Sequence, residues 1–509
     1  MRTGVIDIGT NSIKLIIGES GGDQITILES LKNIIPLGND TFYRGAIRQE
    51  TTKQVLTILE KYKSVLKEYD VNDVKLIATT AVREARNKDI FVDTIARKTG
   101  YNVEVLTVGD VIYYIDAFLS YKLQDTYPLH GKNVLIAELG AGSLDISVME
   151  KGFTLLNMGL PIGTLRIGRL MGKLEGSREE SLQAVREYIE NEFSYLKSSF
   201  PTEHIDDIIL LDESYSLLLT LFLPQLQGKG NFFKLSREDI QNILTELSDK
   251  SGEEIMRAYK VPFEIADTFN AFTAVVNNFA ALTKDKSLYI LETSLAEAIL
   301  ANILLGFKID KQYNKTNQLS SIARFLCLKY NVDFVHAQYV ADLCAVLFDN
   351  LKDVLGVRDE DSLYLMLAAY LHDVGGFIHN RSHHKHSEYI INSLNLFRLT
   401  EEEIRVIACI ARYHRNNAPR TSHPLYNGLT TEKQILVQKL SALLRIANAL
   451  DSSHRQKIKK LKIQINRNRD IVLSGFSREN ALLEKFDFME KKEFFEEITG
   501  SKITLSLKT

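Results

Sequence analysis

Three carboxylates stand where short apolar stretches turn back on themselves. Asp7 lies in "IDIGTNSIKL" (6–15), and Glu138 and Asp145 bracket "ELGAGSLD" (138–145). Carboxylate oxygens are hard ligands suited to Mg²⁺, and a positioned carboxylate can take a proton from water. Small residues accompany them: Gly9, Thr10, Asn11 and Ser12 in the first stretch, Gly140, Gly142 and Ser143 in the second. Turns of this kind leave backbone N–H groups free to converge on an anion, and the hydroxyls add donors. Phosphate chemistry is what they suit. Either stretch alone also reads as an ordinary hairpin turn. As a pair they say more, because a shift of 131 residues lays Asp7 on Glu138, Gly9 on Gly140, Ser12 on Ser143 and Lys14 on Asp145.

A second set is rich in nitrogen. Nine of the eleven histidines fall between His336 and His454, in "DFVHAQYV", "AAYLHDVGGFI", "RSHHKHSEYI", "ARYHRNN" and "NALDSSH". Imidazoles mixed with carboxylates suit Mn²⁺, Fe²⁺ or Zn²⁺ better than Ca²⁺. Neighbours on a helix point about 100° apart, so His372 and Asp373 reach one metal at a helix end, which Gly375 and Gly376 supply. Spacing leaves open which of His383, His384 and His386 faces inward.

The elements that must hold these residues are legible from periodicity. "TGVIDIG", "SIKLIIGES" and "QITILESLKNII" read as three strands, followed by an amphipathic helix over 49–69. "VKLIATT" is a further strand, then come a helix near 89–99, the strand "VEVLT" and a helix after Gly109. The same order begins again at "KNVLIAELG", and such internal duplication is a strong organisational signal. Polar, lysine-rich "KIDKQYNKT" (308–316) reads as a linker, the chain beyond it as helical to about Arg455, and the tail as strands with one helix. The expected domains are therefore 1–125, 126–307, 308–455 and 456–509.

The 509 residues carry 62 basic and 65 acidic side chains, a net charge of −3, with 45% hydrophobic and 25% charged residues. That balance gives no basic field for nucleic acid and fits a soluble globular protein. The longest apolar runs, such as "LYLMLAAYL", fall far short of the ~20 residues of a spanning helix. Cys327, Cys344 and Cys409 lie apart in apolar stretches and read as core thiols of a reducing compartment. A cytoplasmic protein that does not bind membranes is the expectation.

"VIDIGTNSIKLII", "IATTAVREARN", "NVEVLTVGD", "AELGAGSLDISV" and "LPIGTLRIG" resemble the exopolyphosphatase/guanosine pentaphosphate phosphohydrolase (Ppx/GppA) family, of the actin/hexokinase/Hsp70-like superfamily. The resemblance implies two actin-like (RNase H-like) α/β lobes, and hydrolysis of polyphosphate or of guanosine pentaphosphate between them with a divalent metal, Mg²⁺ being the expected one. It implies Asp7, Glu138 and Asp145 as catalytic groups and the two small-residue turns as the phosphate cradle. Arg83 matches an arginine that the family sets on phosphate; an ion pair with Glu84 or Glu104 is its other use. The histidine stretches resemble the HD phosphohydrolase superfamily and the long Ppx/GppA members that keep such a domain. That implies His336, His372, Asp373 and Asp451 around one metal, with His386 and His414 holding a second. The partners expected are polyphosphate or a guanosine alarmone, and a second copy of the chain as a homodimer.

Departures from the family accompany the matches. Its Glu-Glu-Ala stretch, whose glutamate activates the attacking water, is here "VGDVIYYIDA", with Val111 and Ile112 and carboxylates at Asp110 and Asp116. Its "DIGGGSTE" is here "ELGAGSLD", and its glycine-rich "GTGGT" loop is replaced by "LDESYS" (211–216). Asn448 stands where the long members often have aspartate. Phosphoanhydride hydrolysis in the lobes is the leading expectation. Its rivals are a metal-dependent HD phosphohydrolase with the lobes as a regulatory module, and a non-catalytic alarmone or polyphosphate sensor.

Overall fold

The structure, a computed structural model, describes residues 2–22, 24–200, 204–211, 232–247, 250–261, 266, 269–283, 287–415 and 418–508. The chain divides into two units, Met1–Lys315 and Thr316–Thr509.

The first unit holds two sheets. One is ordered β3 (Gln24–Ile34), β2 (Ser12–Gly21), β1 (Arg2–Ile8), β4 (Asp73–Ala78), β5 (Val103–Val105). The other begins at its edge with β10 (Phe232–Leu235), then β11 (Ser287–Leu291), β9 (Asp207–Leu211), β6 (Asn133–Leu139), β7 (Leu144–Glu150) and β8 (Phe153–Leu160). Both contain an antiparallel hairpin whose first strand pairs on its other side with a parallel strand, β4 or β9. Strands β1 and β9 are buried almost throughout, which is why they read as continuous apolar runs. The duplication is exact at the hairpins: Asp7 faces Lys14 across β1–β2, and Glu138 faces Asp145 across β6–β7. Gly9 N donates to Ser12 O and Gly140 N to Ser143 O, each at 2.9 Å.

Helices position the sheets. Gln49–Glu68 buries Val55, Leu59, Tyr62 and Leu66, a 3.6-residue stripe, and Tyr62 donates its hydroxyl to Ile13 O at 2.9 Å. The helix Val108–Lys122 packs on β7 and β8, so the first lobe's last helix belongs in space with the second sheet. Helix Leu295–Gln312 packs against it and on β1 and β2. The polar stretch 308–316 is largely helical. The helix runs on to Gln312 and the next begins at Lys315.

In the second unit the helices Phe334–Leu355, Ser362–Leu371, Glu401–Arg412 and Thr431–Ala449 pack together. The three-stranded sheet β12 (Lys459–Ile465), β13 (Ile471–Phe476), β14 (Ile503–Lys508) follows. Its crossover helix, Leu482–Thr499, packs on Thr431–Ala449, so the tail shares one compact unit with the helical part. Apolar contact between those two helices overrides the composition change at 456. Among the described residues no helix is long and apolar enough to cross a membrane.

One buried polar network ties the helices to the second sheet. Asp116 accepts from Ser147 Oγ at 2.8 Å, from Thr154 Oγ1 at 3.1 Å and from the Tyr313 hydroxyl at 3.4 Å. Burial pushes its carboxyl up to about 7, against the pull of those three donors. A folded-state pKa above the unfolded one means stability that is full below about pH 4 and is lost as pH rises through about 7. From 3.8 to about 7, at ~1.4 kcal/mol per tenfold, the loss is of order 4 kcal/mol. Asp116→Asn removes that titration. Urea unfolding between pH 4.5 and 7.5 should show the wild type losing stability relative to Asp116→Asn, and parallel profiles would contradict the assignment.

Candidate functional site

In the first unit the two turns of the hairpins meet. A Cβ on Gly142 would fall 2.7 Å from Thr10 Oγ1 and 2.9 Å from Thr80 Cγ2, so only glycine lets the second turn lie this close to the first lobe. Gly163, from the "LPIG" stretch, does the same from behind, where a Cβ would meet Ala141 O at 2.2 Å. Each turn is also anchored by an equivalent backbone bond: Gly38 N to Thr10 O at 2.7 Å, and Leu165 N to Ala141 O at 3.0 Å. Across the junction Thr80 Oγ1 and Ser143 Oγ are 3.0 Å apart. Gly9, Thr10, Asn11, Ser12, Gly140, Gly142 and Ser143 are thereby brought to one place.

The charged groups follow the register. Asp7 and Asp145 are buried, Asp7 on the first strand of its hairpin and Asp145 on the second strand of its own, and Glu138, the counterpart of Asp7, is half-buried. Burial pushes Asp145 up to about 6, and the neighbouring Arg83 opposes it most strongly. Asp145 Oδ1 is buried and has no hydrogen-bond partner. Arg83 donates from Nη1 to Leu106 O at 2.8 Å and from Nη2 to Thr80 Oγ1 at 3.2 Å. The rival ion pairs go elsewhere: Glu84 to Arg166 at 2.5 Å and Glu104 to Lys75 at 2.8 Å. Thr80 and Arg166 complete this junction without a sequence signal that would single them out. In the helix Val108–Lys122, Val111 and Ile112 are buried packing residues, and Asp110 is held in a capping box with Thr107. The stretch 211–216 lies, beyond Leu211, outside the described residues.

The register Asp7–Lys14–Lys32 continues one face of the sheet from β1 to β3. Beside it is a cavity of about 490 Å³ lined by Lys14, Lys32, Thr293 and Ser294, with Glu292 and Glu297 at its wall.

The second unit holds a tighter centre. Asp373 Oδ1 lies 3.0 Å from His383 Nε2 and 3.6 Å from His414 Nε2, and the two imidazole nitrogens are 3.3 Å apart. His372 Nε2 is buried without a hydrogen bond, 3.5 Å from Asp373 Oδ2. The backbone dictates this. His372, His383 and His414 each place Nδ1 on the carbonyl three residues earlier, Ala369 (2.7 Å), Asn380 (3.1 Å) and Ala411 (2.6 Å). Those carbonyls take the Nδ1 protons, which leaves the Nε2 lone pairs of His383 and His414 converging with Asp373 and that of His372 facing Asp373 Oδ2. Burial depresses His372, and His414 well below its ordinary value, so both stay neutral.

Lone pairs 3.3 Å apart repel unless a cation lies between them. Tetrahedral sites with bonds of about 2.0–2.1 Å have ligand–ligand edges of roughly 3.3–3.4 Å, which these spacings match. The donor set fits a transition metal. Gly375 makes it possible: a Cβ there would meet His383 O at 2.1 Å, and Ser387 Oγ bridges Gly375 N (2.9 Å) and His372 O (2.6 Å).

His383, not His386, turns inward, because it opens the helix His383–Asn392 where that helix abuts Gly375. Asp451 stands behind the centre, accepting from His336 Nδ1 at 2.9 Å and from Gln456 N at 2.7 Å. His336 has its other nitrogen on Asn448 Oδ1 at 3.1 Å and stacks on His454 at 3.6 Å, so Asn448 orients it. His336, Asp373 and His454 form a looser second group.

Comparison with known proteins follows this geometry. A family model described as the Ppx/GppA phosphatase family matches residues 5–307, and one described as Ppx/GppA phosphatase, domain III, matches residues 319–491. The chain is 22% identical over 457 residues to a guanosine-5'-triphosphate,3'-diphosphate pyrophosphatase of Pseudoalteromonas translucida, covering 87% of this chain and 86% of that one. Exopolyphosphatase 1 of Mycobacterium tuberculosis is 24% identical over 170 residues, 33% of this chain and 48% of that one. An exopolyphosphatase structure from Cytophaga hutchinsonii superposes with a TM-score of 0.54 at 22% identity, over 61% of this chain and 99% of that one. A Ppx/GppA family member from Aquifex aeolicus gives 0.52 at 22% identity, over 60% and 98%.

The histidine centre makes a sharp prediction. Elemental analysis should find a transition metal in the wild type and in His386→Ala, and a loss in His383→Ala and Asp373→Ala. Gly375→Ala should lose metal too, because it pushes the helix carrying His383 away.

Proposed function

The chain belongs to the Ppx/GppA phosphatase family, and we propose that it hydrolyses a phosphoanhydride of inorganic polyphosphate or guanosine pentaphosphate between the two sheets of its first unit. The observation that carries this is Asp145: buried, with one oxygen free of hydrogen bonds, beside Arg83 and the Thr80–Ser143 contact that joins the two turns. The amides of the two turns and the Arg83 guanidinium receive the phosphate oxygens, a fork suited to that geometry. Asp145, with its carboxyl at about 6, is ionised at neutral pH and takes a proton from the attacking water in place of the missing glutamate. Asp7 and Glu138 offer carboxylate oxygens to Mg²⁺, which when bound neutralises charge on the phosphate. Lys14 and Lys32 beside the adjoining cavity suit the rest of a polyanionic substrate.

A second reading places the hydrolysis at the histidine centre, with the lobes as a regulatory phosphate-binding module. The cluster of Asp373, His383 and His414 favours it.

Phosphate release from polyphosphate and guanosine pentaphosphate, with Mg²⁺ or Mn²⁺, separates the two. Asp145→Asn should lower the rate by ~10²–10⁴-fold, the usual worth of a general base. Asp373→Ala should leave it unchanged, and the wild-type rate should fall as pH drops below about 6. Loss in Asp373→Ala with full activity in Asp145→Asn would transfer the chemistry to the second unit.

A further inference from the structure

Three consecutive carbonyls of the second turn are held by three consecutive residues. Thr164 N donates to Gly140 O at 3.1 Å and Leu165 N to Ala141 O at 3.0 Å. Arg166 continues the series with its side chain, donating from Nε to Gly142 O. A trans peptide is planar, so its N–H points opposite to its C=O. With Gly142 O drawn back to Arg166, the Ser143 N–H is turned the other way. The first two bonds are main chain and belong to the start of the helix Thr164–Lys173. The third depends on one guanidinium, and glycine at 142 leaves that peptide free to rotate once the donor is lost.

The first lobe holds the guanidinium in turn. Arg166 Nη2 lies 2.5 Å from both carboxylate oxygens of Glu84, and Cζ is 4.0 Å from the centre of the Phe42 ring. One turn later Arg169 Cζ stands 4.5 Å from the Tyr43 ring. Glu84 closes the short helix Thr80–Arg83, which also carries Thr80 and Arg83 to the junction. Gly38 lets this side close up, since a Cβ there would meet Leu165 Cδ2 at 2.6 Å. One edge of Arg166, Nε and Nη2, thus bridges a carbonyl of the second turn and a carboxylate of the first lobe.

We propose that Arg166 is a positioning residue of the cleft, holding the Gly142–Ser143 peptide with its N–H toward the phosphate, and that Glu84 acts through it. Contact of the first lobe with the second is thereby transmitted to the anion-binding turn, because Glu84 and Phe42 are what fix the guanidinium. The proposal rests on the reading of the paired turns as the phosphate site.

Two measurements on the full chain test it. With nitrogen-15 serine incorporated, the amide resonance missing from Ser143→Ala identifies Ser143 and should shift on adding inorganic tripolyphosphate. Arg166→Met should lose that shift. At pH 8, where Asp145 is ionised, kcat for phosphate release should fall about 10²-fold in Arg166→Met, the usual worth of one oriented donor. Arg166→Lys should unfold near the wild-type temperature yet lose both shift and rate, because one ammonium pairs with Glu84 without spanning to Gly142 O. Glu84→Gln should lower kcat, and adding it to Arg166→Met should cost nothing further. A wild type without any shift at Ser143 would remove the phosphate site itself. Shift and rate that survive in Arg166→Met, or that Arg166→Lys restores, overturn the role of Arg166 and leave the phosphate site standing.

Discussion

The approach of two backbones at Gly142 governs the first unit. Hairpin turns normally keep side chains between themselves and whatever they face, a separation too wide for two turns to share one anion. With hydrogen at Gly142 and at Gly163, the second turn comes against Thr10 and Thr80. Everything else in that unit is arranged around this contact. The sheets present the same hairpin end, Val108–Lys122 and Leu295–Gln312 pack on each other and on the two sheets, and Thr80 and Ser143 join across the junction. Once the turns meet, Asp7 on the first strand of one hairpin and Asp145 on the second strand of the other are both buried by geometry, and burial raises the Asp145 carboxyl to about 6.

The second unit reaches convergence by a different route with the same origin in the main chain. Three carbonyls hold three imidazoles by Nδ1, so tautomer and direction are set by the main chain. Gly375 removes the last obstruction between the His-Asp doublet and the helix carrying His383. Asp451 and Asn448 then fix His336 from behind, a supporting layer of the kind that orients metal-binding side chains.

Both units keep charge or lone pairs out of water where apolar packing would be more stable. Asp116 is held by three donors yet still shifted to about 7, and Arg445 has donors unmet. Groups of this sort are costly and cluster at functional places, although structural networks such as that of Asp116 share the signature. The distinguishing feature is direction. Asp116 is enclosed by its partners, whereas Asp145 Oδ1 and His372 Nε2 are each left without one.

Much of this was legible in the residues alone. The 131-residue offset located both hairpins and matched Asp7 with Glu138 and Lys14 with Asp145, because strand register has a period of two and a hairpin's turn sets it. The helical character of 334–449 followed from apolar periodicity in the same way. Those signals are local, and local rules suffice for them. Which histidine turns inward was not local: His383, His384 and His386 lie within four residues, and the choice depends on where Gly375 abuts their helix. Asp451 accepts from His336 and Gln456, a partnership between residues far apart in the chain. The course of 308–316 was settled by packing, as was the place of the tail, since apolar faces seek partners regardless of composition between them. Contacts between residues far apart in the chain leave no mark in spacing, so they had to be read from the folded molecule.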